Sequence, residues 1–502
     1  MVSLADAVLQ QANAGPVLLW TVLLLVLSTI TWKIFYGVCL DPLRSYPGPR
    51  IATVTRIPYW IASLRGNQVR WMQSLHKIYG PVVRFGPNDL SYTGAQAWKD
   101  IYGHQKGRQE NPKDSAFYFP SENGAPSLSV LNLEEHSILR RTIAPAFGDK
   151  ALKDQEPLFQ HCADLMVATV RRLSDEGRPI DMVKIYNLTT FDIMAELVYN
   201  ESLGLLEASE YTPWVEMVFK SISFLPLIQL LEYYPALKVI FQMLEPKSVQ
   251  EMRISHHKYS ADRLDKRLAR GSEKPDIWNL LLAKEEDGPL LTLPQMHSNA
   301  ELFMAAGTET TATLLSGLTN LLLTSPRCMK ALVNEVRSAF DSNDQIDFDS
   351  LSKLPYLNAC LEEGLRMYPP IPSAFPRVIP EGGNSILGKW IPPGTSVSVH
   401  ATASYRDPNN FRDPNKFIPE RWMGDPAFEN DQRDARQPFS LGPRNCLGMG
   451  MAWREMRLLL AKIVFNFDLD LCDKSQDWAD QNVYILWEKK PLMCHAVSHV
   501  GR

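Results

Sequence analysis

The pattern of apolar and polar positions separates an apolar N-terminal stretch from a long body. Residues 16–40 read PVLLWTVLLLVLSTITWKIFYGVCL, in which Lys33 is the single charged residue. As a helix, residues 17–40 would be about 36 Å long, which exceeds a hydrocarbon core of about 30 Å. We therefore expect a transmembrane helix over 17–40.

The residues on either side of this stretch predict its orientation. Residues 1–16 contain Asp6 but no Lys or Arg, whereas Lys33, Arg44 and Arg50 follow. Secretory signal peptides begin with basic residues, and positive flanks stay in the cytosol. We expect a short lumenal N-terminus, a retained single-pass anchor and a cytosolic body. A cleaved signal peptide and a buried core helix are the alternatives.

The body begins with a stiff link. Residues 41–50 contain Pro47 and Pro49, which cannot continue a helix, so we expect a proline-rich hinge there. No low-complexity linker and no internal repeat divides the rest. The simplest interpretation is one large domain over 51–502.

Helical spacing dominates this body. It predicts helices over 151–173, 292–324, 326–340 and 355–367, and several within 211–270 that break near prolines 226, 235 and 246. Shorter strand patterns occupy 81–86, 89–94 and 396–400. The fold class is therefore mainly α with small β-sheets.

The helix predicted over 292–324 is unusually long. Thr292 and Gln295 form a capping-box pattern at its start, and Ser325 and Pro326 end it. Its length is roughly 48 Å, enough to cross a whole domain. Because its apolar residues lie all round, we expect it to be buried.

Charge and cysteine content exclude several classes of protein. The formal net charge is −4, which gives no electrostatic footprint for nucleic acid. The seven cysteines are scattered without a CxxC pair, which favours a reducing compartment. The chain also has no GxSxG or HExxH motif of a hydrolase, and no flavin or NAD fingerprint.

One cysteine lies in a glycine-rich loop, FSLGPRNCLGMG (439–450), directly before an amphipathic helical pattern. Backbone N–H groups at a helix start favour a thiolate at Cys446. Gly442 and Gly448 have no Cβ, so a flat group could approach the backbone. Phe439 could pack on that group and Arg444 could pair with an acidic edge. A haem has this shape and accepts an axial thiolate; a core cysteine beside a turn is the alternative.

These residues match the haem-binding pattern FxxGxRxCxG, and the chain thus resembles the cytochrome P450 family. The resemblance implies a cytochrome P450 fold and haem b, with Cys446 as its axial metal ligand. The run HATASYRDPNNFRDPNKFIPERW resembles filamentous-fungal members, in particular the isotrichodermin-hydroxylase-like group of secondary metabolism.

A second motif, AAGTETT (305–311), lies in the long helix and is similar to the family's oxygen-activation motif. The resemblance implies that Gly307 leaves room for dioxygen and that the catalytic residues Thr310 and Glu309 deliver protons. The alternative is a set of threonines that bond to carbonyls four residues earlier, such as Thr310 to Ala306.

A third motif combines an ExxR pair with a later PERW segment. By resemblance, Glu363, Arg366 and Arg421 form a buried charge triad that fixes the cysteine loop. Trp422 stands where the family often has Phe. The alternative for the ExxR pair is a weak surface ion pair.

A fourth group concerns the haem propionates. In EEHSILRR (134–141), His136 and Arg140 lie four apart on one helical face. The resemblance implies that both reach a propionate, with His136 in place of a Trp, and that Arg377 and Arg444 also contribute. A solvated His136 is the alternative.

The resemblance also implies a substrate and partners. A large, mostly apolar ligand would lie against residues 117–119, part of 215–245, Phe303, Met304 and residues 371–375. Electrons would come from NADPH through a membrane-bound NADPH–cytochrome reductase, or from a cytochrome b-type donor. That reductase would dock on basic residues such as Arg433, Arg436 and Arg454, with the protein on the endoplasmic reticulum membrane.

The sequence therefore predicts a haem monooxygenase that hydroxylates a hydrophobic small molecule, such as a polyketide or terpenoid. Two alternatives are a P450-fold isomerase, dehydratase, desaturase or ring-forming oxidase, and a non-catalytic haem or lipid-binding membrane protein.

Overall fold

Long helices around one central helix form most of the molecule, and small sheets complete it. The computed structural model describes residues 20–25, 27–104, 107–118, 121–271, 276–282, 291–473 and 477–499. The expected lumenal segment 1–16 and the pocket residue Phe119 lie outside these ranges.

The helices follow in chain order. They are α1 (Trp20–Leu40) and α2 (Ile57–Leu64), α3 (Gln68–Tyr79), α4 (Ala95–Tyr102), α5 (Leu133–Ile143), α6 (Asp149–Asp175), α7 (Met182–Tyr199), α8 (Leu205–Ala208), α9 (Pro213–Ser221), α10 (Leu225–Tyr233), α11 (Pro235–Leu244), α12 (Lys247–Arg270), α13 (Ile277–Leu282), α14 (Leu293–Leu323), α15 (Pro326–Ala339), α16 (Phe348–Leu351), α17 (Pro355–Met367), α18 (Ala401–Tyr405) and α19 (Met449–Asn466).

The strands are short. They are β1 (Val82–Gly86), β2 (Asp89–Tyr92), β3 (Ile180–Asp181), β4 (Arg377–Val378), β5 (Asn384–Ile386), β6 (Lys389–Ile391), β7 (Ser396–Val399), β8 (Phe467–Leu471), β9 (Val483–Tyr484), β10 (Leu486–Trp487) and β11 (Met493–Ser498). The largest described sheet has the order β1-β2-β7-β4. Its β2–β7 pair is parallel, with Leu90 opposite Val397, and this pairing joins the N-terminal third to the C-terminal third.

The predicted helix boundaries agree closely with these elements. Helix α14 has the expected capping box: the Thr292 N–H donates to Gln295 Oε1 at 3.0 Å, and the Gln295 N–H donates to Thr292 Oγ1 at 3.4 Å. The expected breaks near prolines 226, 235 and 246 are present, because α10, α11 and α12 begin at Leu225, Pro235 and Lys247. Pro226 lies in the first turn of α10, where a missing N–H costs no helical hydrogen bond.

Helix α14 is the centre of the core. It packs against α7, α12, α15, α17 and α19, and Leu314, Leu315 and Leu318 are completely buried. The prediction that this helix is buried is therefore confirmed for most of its length. The exception, near residue 305, marks the candidate site.

Among the residues that the structure describes, two segments are long and apolar enough to cross a membrane. These are α1 and Pro213–Tyr233. The second comprises α9, a 3-10 turn and α10, and helix α1 is almost wholly exposed. The 41–50 segment that follows α1 lies on β1, since the Arg84 N–H donates to the Pro47 carbonyl at 2.7 Å and Arg84 pairs with Asp41 at 2.6 Å.

Candidate active site

The Cys446 loop leads directly into α19. A 3-10 turn over Gly442–Arg444 precedes the cysteine, and the Cys446 N–H donates to the Phe439 carbonyl at 2.8 Å. The Cys446 side chain is accessible although protein atoms surround it on most sides. This burial raises the pKa of the thiol above its usual range, while the Gly448 N–H and Arg140 act in the opposite direction.

The two glycines of the loop have different roles. Gly442 has φ +74°, and a Cβ there would lie 2.1 Å from the Tyr102 carbonyl oxygen, so this glycine permits close packing against α4. No described atom lies within 4 Å of a Cβ placed on Gly448. Only Gly448 therefore leaves the open space that the sequence suggested for both. Phe439 is half-buried and packs on Trp453, with 6.2 Å between ring centroids.

A cluster of basic side chains lies beside this loop. Arg377 and Arg444 both pair with Glu110 Oε1, at 3.2 Å and 2.7 Å. His136 is buried on α5, and Lys113 donates to the Ser129 carbonyl at 2.5 Å. Glu110 was not identified from the sequence, since an isolated Glu far from every motif carries no pattern.

The basic cluster has more positive charge than its surroundings balance. Burial and the positive charges of Arg377, Arg444 and Arg140 lower the pKa of Lys113 to about 7. Burial, Arg444, Lys113 and the other arginines lower the pKa of His136 to about 3. The buried Arg377 Nε has no hydrogen-bond partner among the described residues. Such a cluster favours a bound dianion.

Arg140 connects this cluster to the cysteine loop. Its two terminal nitrogens donate to the Asn445 carbonyl and to Asn445 Oδ1, both at 2.6 Å. His136 and Arg140 therefore lie on the same side of α5, as their spacing predicted, and Arg140 contacts the residue before Cys446. Asn445 is a further residue that the sequence did not reveal.

The middle of α14 is open on one face. Ala305 and Ala306 are exposed although the residues on either side are mostly buried. Thr310 Oγ1 donates to the Ala306 carbonyl at 2.7 Å, the local bond that was the alternative interpretation of this motif. Gly307 does not provide the expected room for dioxygen, because a Cβ there would lie 2.4 Å from Met194 Sδ on α7.

Glu309 lies on a different face from Thr310. Its Oε1 accepts from Lys489 Nζ at 2.7 Å and from Thr313 Oγ1 at 3.1 Å. Its Oε2 is buried without a hydrogen-bond partner among the described residues. Lys489 also donates to Asn187 Oδ1 at 3.3 Å. Lys489 could not be identified from the sequence, because it lies 180 positions from Glu309 in a polar stretch.

These features fit a haem. The Cys446 sulfur is an accessible soft ligand for iron, the basic cluster matches two propionates, and the exposed alanines border an open face. The comparison with known families agrees: residues 47–495 match the family model described as Cytochrome P450. The chain belongs to the cytochrome P450 family.

Fungal relatives of this P450 are similar over almost their whole length. It is 48% identical to cytochrome P450 monooxygenase efuB of Hormonema carpetanum, covering 91% of this chain and 92% of the relative. It is 39% identical to averantin hydroxylase of Aspergillus parasiticus, covering 94% and 96%. The predicted resemblance to filamentous-fungal members is thereby confirmed.

Family membership establishes the chemistry. This P450 is a haem-dependent monooxygenase that acts on a small-molecule metabolite. Its haem iron has a cysteine thiolate ligand, its second substrate is dioxygen, and its electrons come from NADPH through a reductase. The predicted enzyme class and cofactors are confirmed.

The expected charge triad of this P450 is present and fully buried. Glu363 accepts two hydrogen bonds from Arg366, at 2.7 and 2.8 Å, and one from Arg421 at 3.3 Å. Trp422 Nε1 donates to Glu363 Oε2 at 2.9 Å, a bond that a phenylalanine could not make. Arg421 also pairs with Asp431, and Arg366 donates to the Tyr405 and Pro414 carbonyls.

Two of the predicted pocket residues belong instead to the core. Phe303 lies between Phe147 and Trp278, at 5.7 and 6.4 Å between ring centroids, and Met304 is 3% exposed. Neither side chain faces the open side of α14. Phe117 packs edge-on against Phe375 at 6.5 Å, so the segments after α4 and α17 do meet.

Proposed function

We propose that Cys446 is the axial thiolate of this P450 and that the protein hydroxylates a hydrophobic small molecule above the open face of α14. The observation that carries this proposal is the position of the accessible cysteine beside a buried, under-compensated basic cluster. Arg140 joins the two, because it contacts Asn445 in the cysteine loop and contributes to the potential at His136 and Lys113.

The haem propionates are held by the basic cluster in this proposal. Arg377, Arg444, Arg140 and His136 contribute charge or hydrogen bonds, and Lys113 adds a donor from the loop after α4. Phe439, Gly442 and Gly448 shape the loop around the sulfur. The unpartnered Arg377 Nε supports the presence of a further acceptor at this point.

The bound haem supplies dioxygen activation and the insertion of an oxygen atom into the substrate. Thr310 and Glu309 manage the protons that this reaction consumes. The Thr310 hydroxyl lies next to the exposed Ala306 and can exchange its bond to that carbonyl for one to a water molecule. Glu309 holds its carboxylate behind Thr310, where Lys489 and Thr313 orient it.

A matched pair of threonine variants tests this role. Thr308 and Thr310 both donate to a carbonyl four residues earlier, at 2.8 and 2.7 Å, but Thr308 is buried away from the open face. With reductase and NADPH, Thr310→Val should release peroxide instead of product, whereas Thr308→Val should remain coupled. Equal coupling in both variants would remove Thr310 from the proton path.

The substrate is a polyketide- or terpenoid-like metabolite in this proposal. The similarity to averantin hydroxylase supports hydroxylation as the reaction. The apolar, exposed α1 supports a single-pass anchor in the endoplasmic reticulum membrane, with residues 51–502 facing the cytosol. The electron donor is then a membrane-bound NADPH–cytochrome reductase, with a cytochrome b-type protein as a second donor.

The reductase docks on the cysteine side of the protein in this proposal. Arg433 is exposed and one of its terminal nitrogens donates to the Arg421 carbonyl at 2.9 Å. Arg436 pairs with Glu362, and Arg454 pairs with Asp149 at 2.9 Å. Arg433→Glu should raise the reductase concentration needed for half-maximal turnover and leave substrate binding unchanged. An unchanged reductase dependence would exclude this surface.

A further inference from the structure

A narrow cavity beside the expected substrate region is lined by several buried polar side chains. It has a volume of about 30 Å³ and lies between α2, α10, β7 and the segment that follows α17. Several of its polar side chains are more than nine-tenths buried, and five of these also have a buried polar atom without a described partner. The five are Arg56, Ser63, Gln229, Ser373 and His400.

Each of these five side chains has a polar atom without a partner. The atoms are Arg56 Nε, Ser63 Oγ, Gln229 Nε2, Ser373 Oγ and His400 Nε2, and none makes a hydrogen bond to a described residue. Buried polar atoms are almost always paired, because an unpaired one loses its hydration without compensation. Five around one small cavity indicate a ligand group that completes their hydrogen bonds.

The unpartnered nitrogens are all donors. Arg56 Nε and Gln229 Nε2 carry hydrogens in every state. His400 Nδ1 accepts from the Ala403 N–H at 3.4 Å, so in the neutral ring the proton lies on Nε2. Burial and the neighbouring His76 lower the pKa of His400 to about 3, which keeps the ring neutral.

The wall provides no strong acceptor in return. No Asp or Glu is among the described residues that line the cavity. The two serine hydroxyls can either donate or accept. The cavity is thus complementary to an oxygen atom that accepts several hydrogen bonds.

The charge of Arg56 is already balanced. Its Nη1 pairs with Asp89 Oδ1 at 3.1 Å, and its guanidinium lies 4.6 Å and 4.7 Å from the ring centroids of Tyr59 and Tyr233. A second carboxylate would add an uncompensated buried charge, which is costly. A neutral carbonyl oxygen meets the donors without this cost.

We propose that this cavity binds a neutral carbonyl oxygen of the substrate, as in a ketone, lactone or ester. The proposal rests on the proposed function, because Phe117, Ser373 and Ala374 line both this cavity and the expected substrate region. The volume suits one carbonyl group or a single water molecule. The cavity therefore holds the oxygenated end of an otherwise apolar ligand and fixes which carbon meets the open face of α14.

Three probes that share a twelve-carbon chain test this assignment on the full-length, haem-loaded protein. Methyl laurate has a neutral carbonyl, laurate has a carboxylate and dodecane has neither. The measurement is the change in haem absorbance on titration with each probe. We expect methyl laurate to bind at least about tenfold more tightly than dodecane, and Gln229→Leu or Ser373→Ala to weaken methyl laurate about three- to tenfold each.

A matched control and a second readout keep the outcomes distinct. Ser316→Ala removes a buried hydroxyl on α14 that bonds only within its helix at 2.6 Å, and it should leave the preference unchanged. If Gln229→Leu or Ser373→Ala weakened the binding of dodecane as much as that of methyl laurate, the variants would act through packing. If laurate bound more tightly than methyl laurate, the cavity would be a carboxylate site. Loss of stability without any change in preference would show a structural water. Each of these three results overturns the proposal.

The same variants separate this proposal from the proposed function. Every variant should keep its haem and the absorbance of the reduced carbon monoxide complex, since none contacts the Cys446 loop. A variant that keeps both signals but loses its preference for methyl laurate supports the cavity assignment. A wild-type protein without the thiolate signal contradicts the proposed function, whatever the probes show.

Discussion

Two buried glutamates show how differently the two sides of the candidate haem site are built. Glu363, on α17, accepts hydrogen bonds from Arg366, Arg421, Trp422 and the Ile418 N–H. Glu309, on α14, accepts from Lys489 and Thr313 and keeps one oxygen unpartnered among the described residues.

We interpret this difference as that between a structural charge, Glu363, and the charge that we propose is functional, Glu309. Because every acceptor position of the Glu363 carboxylate is used, it has no freedom to change partners. The network ties α17 to the segment 405–431. The pKa of Glu363 is accordingly lowered despite its burial, chiefly by Arg366 and Arg421. Glu309 retains an acceptor without a partner among the described residues, which is compatible with the role proposed for it in proton delivery.

Removal of the structural carboxylate should have the largest effect on stability. Glu363→Gln leaves two buried arginines under-compensated, so the free energy of unfolding should fall by about 3–5 kcal/mol. Urea unfolding of the haem-loaded protein measures this loss. The adjacent Glu362→Gln breaks a partly exposed pair with Arg436 and should cost less than about 1 kcal/mol. Similar losses in both variants would contradict the comparison.

A smaller change in the same network concerns the tryptophan. Trp422→Phe removes the hydrogen bond to Glu363 but keeps an aromatic ring, so it should cost about 1.5–3 kcal/mol. Haem content should remain normal. A stability equal to that of the wild type would mean that Glu363 is held by the arginines alone.

A change beside Glu309, the carboxylate that we propose is functional, should alter activity. Lys489→Met removes the cation that orients Glu309, so the ratio of product to peroxide should fall about tenfold, equivalent to about 1.4 kcal/mol. Lys489→Arg keeps the charge and should restore most of the ratio. The measurement is product and peroxide per NADPH consumed, and it requires that haem content be equal in all three proteins. An unchanged ratio in Lys489→Met would remove Lys489 from the positioning of Glu309.

The smallest expected effect is a pH dependence from His400. Because its pKa is held at about 3 in the folded protein, the unfolded chain binds the proton first as pH falls below about 6.5. The free energy of unfolding should decrease by less than about 1 kcal/mol between pH 7 and pH 6, and more steeply below that.

A variant that keeps the N-cap of α18 isolates the contribution of His400. His400→Asn keeps a side-chain acceptor for the Ala403 N–H and removes the titrating ring, so the pH slope should become flatter. A slope that persists in His400→Asn would assign it to another histidine.

Much of the fold and of the haem loop could be predicted from the sequence because their signals are local. The capping box of Thr292 and Gln295, the helix Pro355–Met367 and the order Phe439 to Gly448 each lie within a short stretch. Their roles follow from spacing and from the chemistry of the residues themselves.

The remaining features join residues that are distant in the chain. Lys489 meets Glu309, Glu110 meets Arg377 and Arg444, and Gly442 meets Tyr102 only after the chain has folded. A lysine in a polar stretch and an isolated glutamate belong to no sequence pattern from which their partners could be predicted. The same limitation explains Phe303, whose position in α14 suggested the pocket but whose ring packs on Trp278.

The most direct test of the account is the ligand of the iron. The absorbance of the reduced carbon monoxide complex should show a thiolate ligand in the wild type and lose this signal in Cys446→Ser. It should persist in Cys162→Ser, which alters a buried cysteine of the core. A thiolate signal that persists in haem-loaded Cys446→Ser would contradict the assignment of Cys446, and with it the proposed arrangement of the active site.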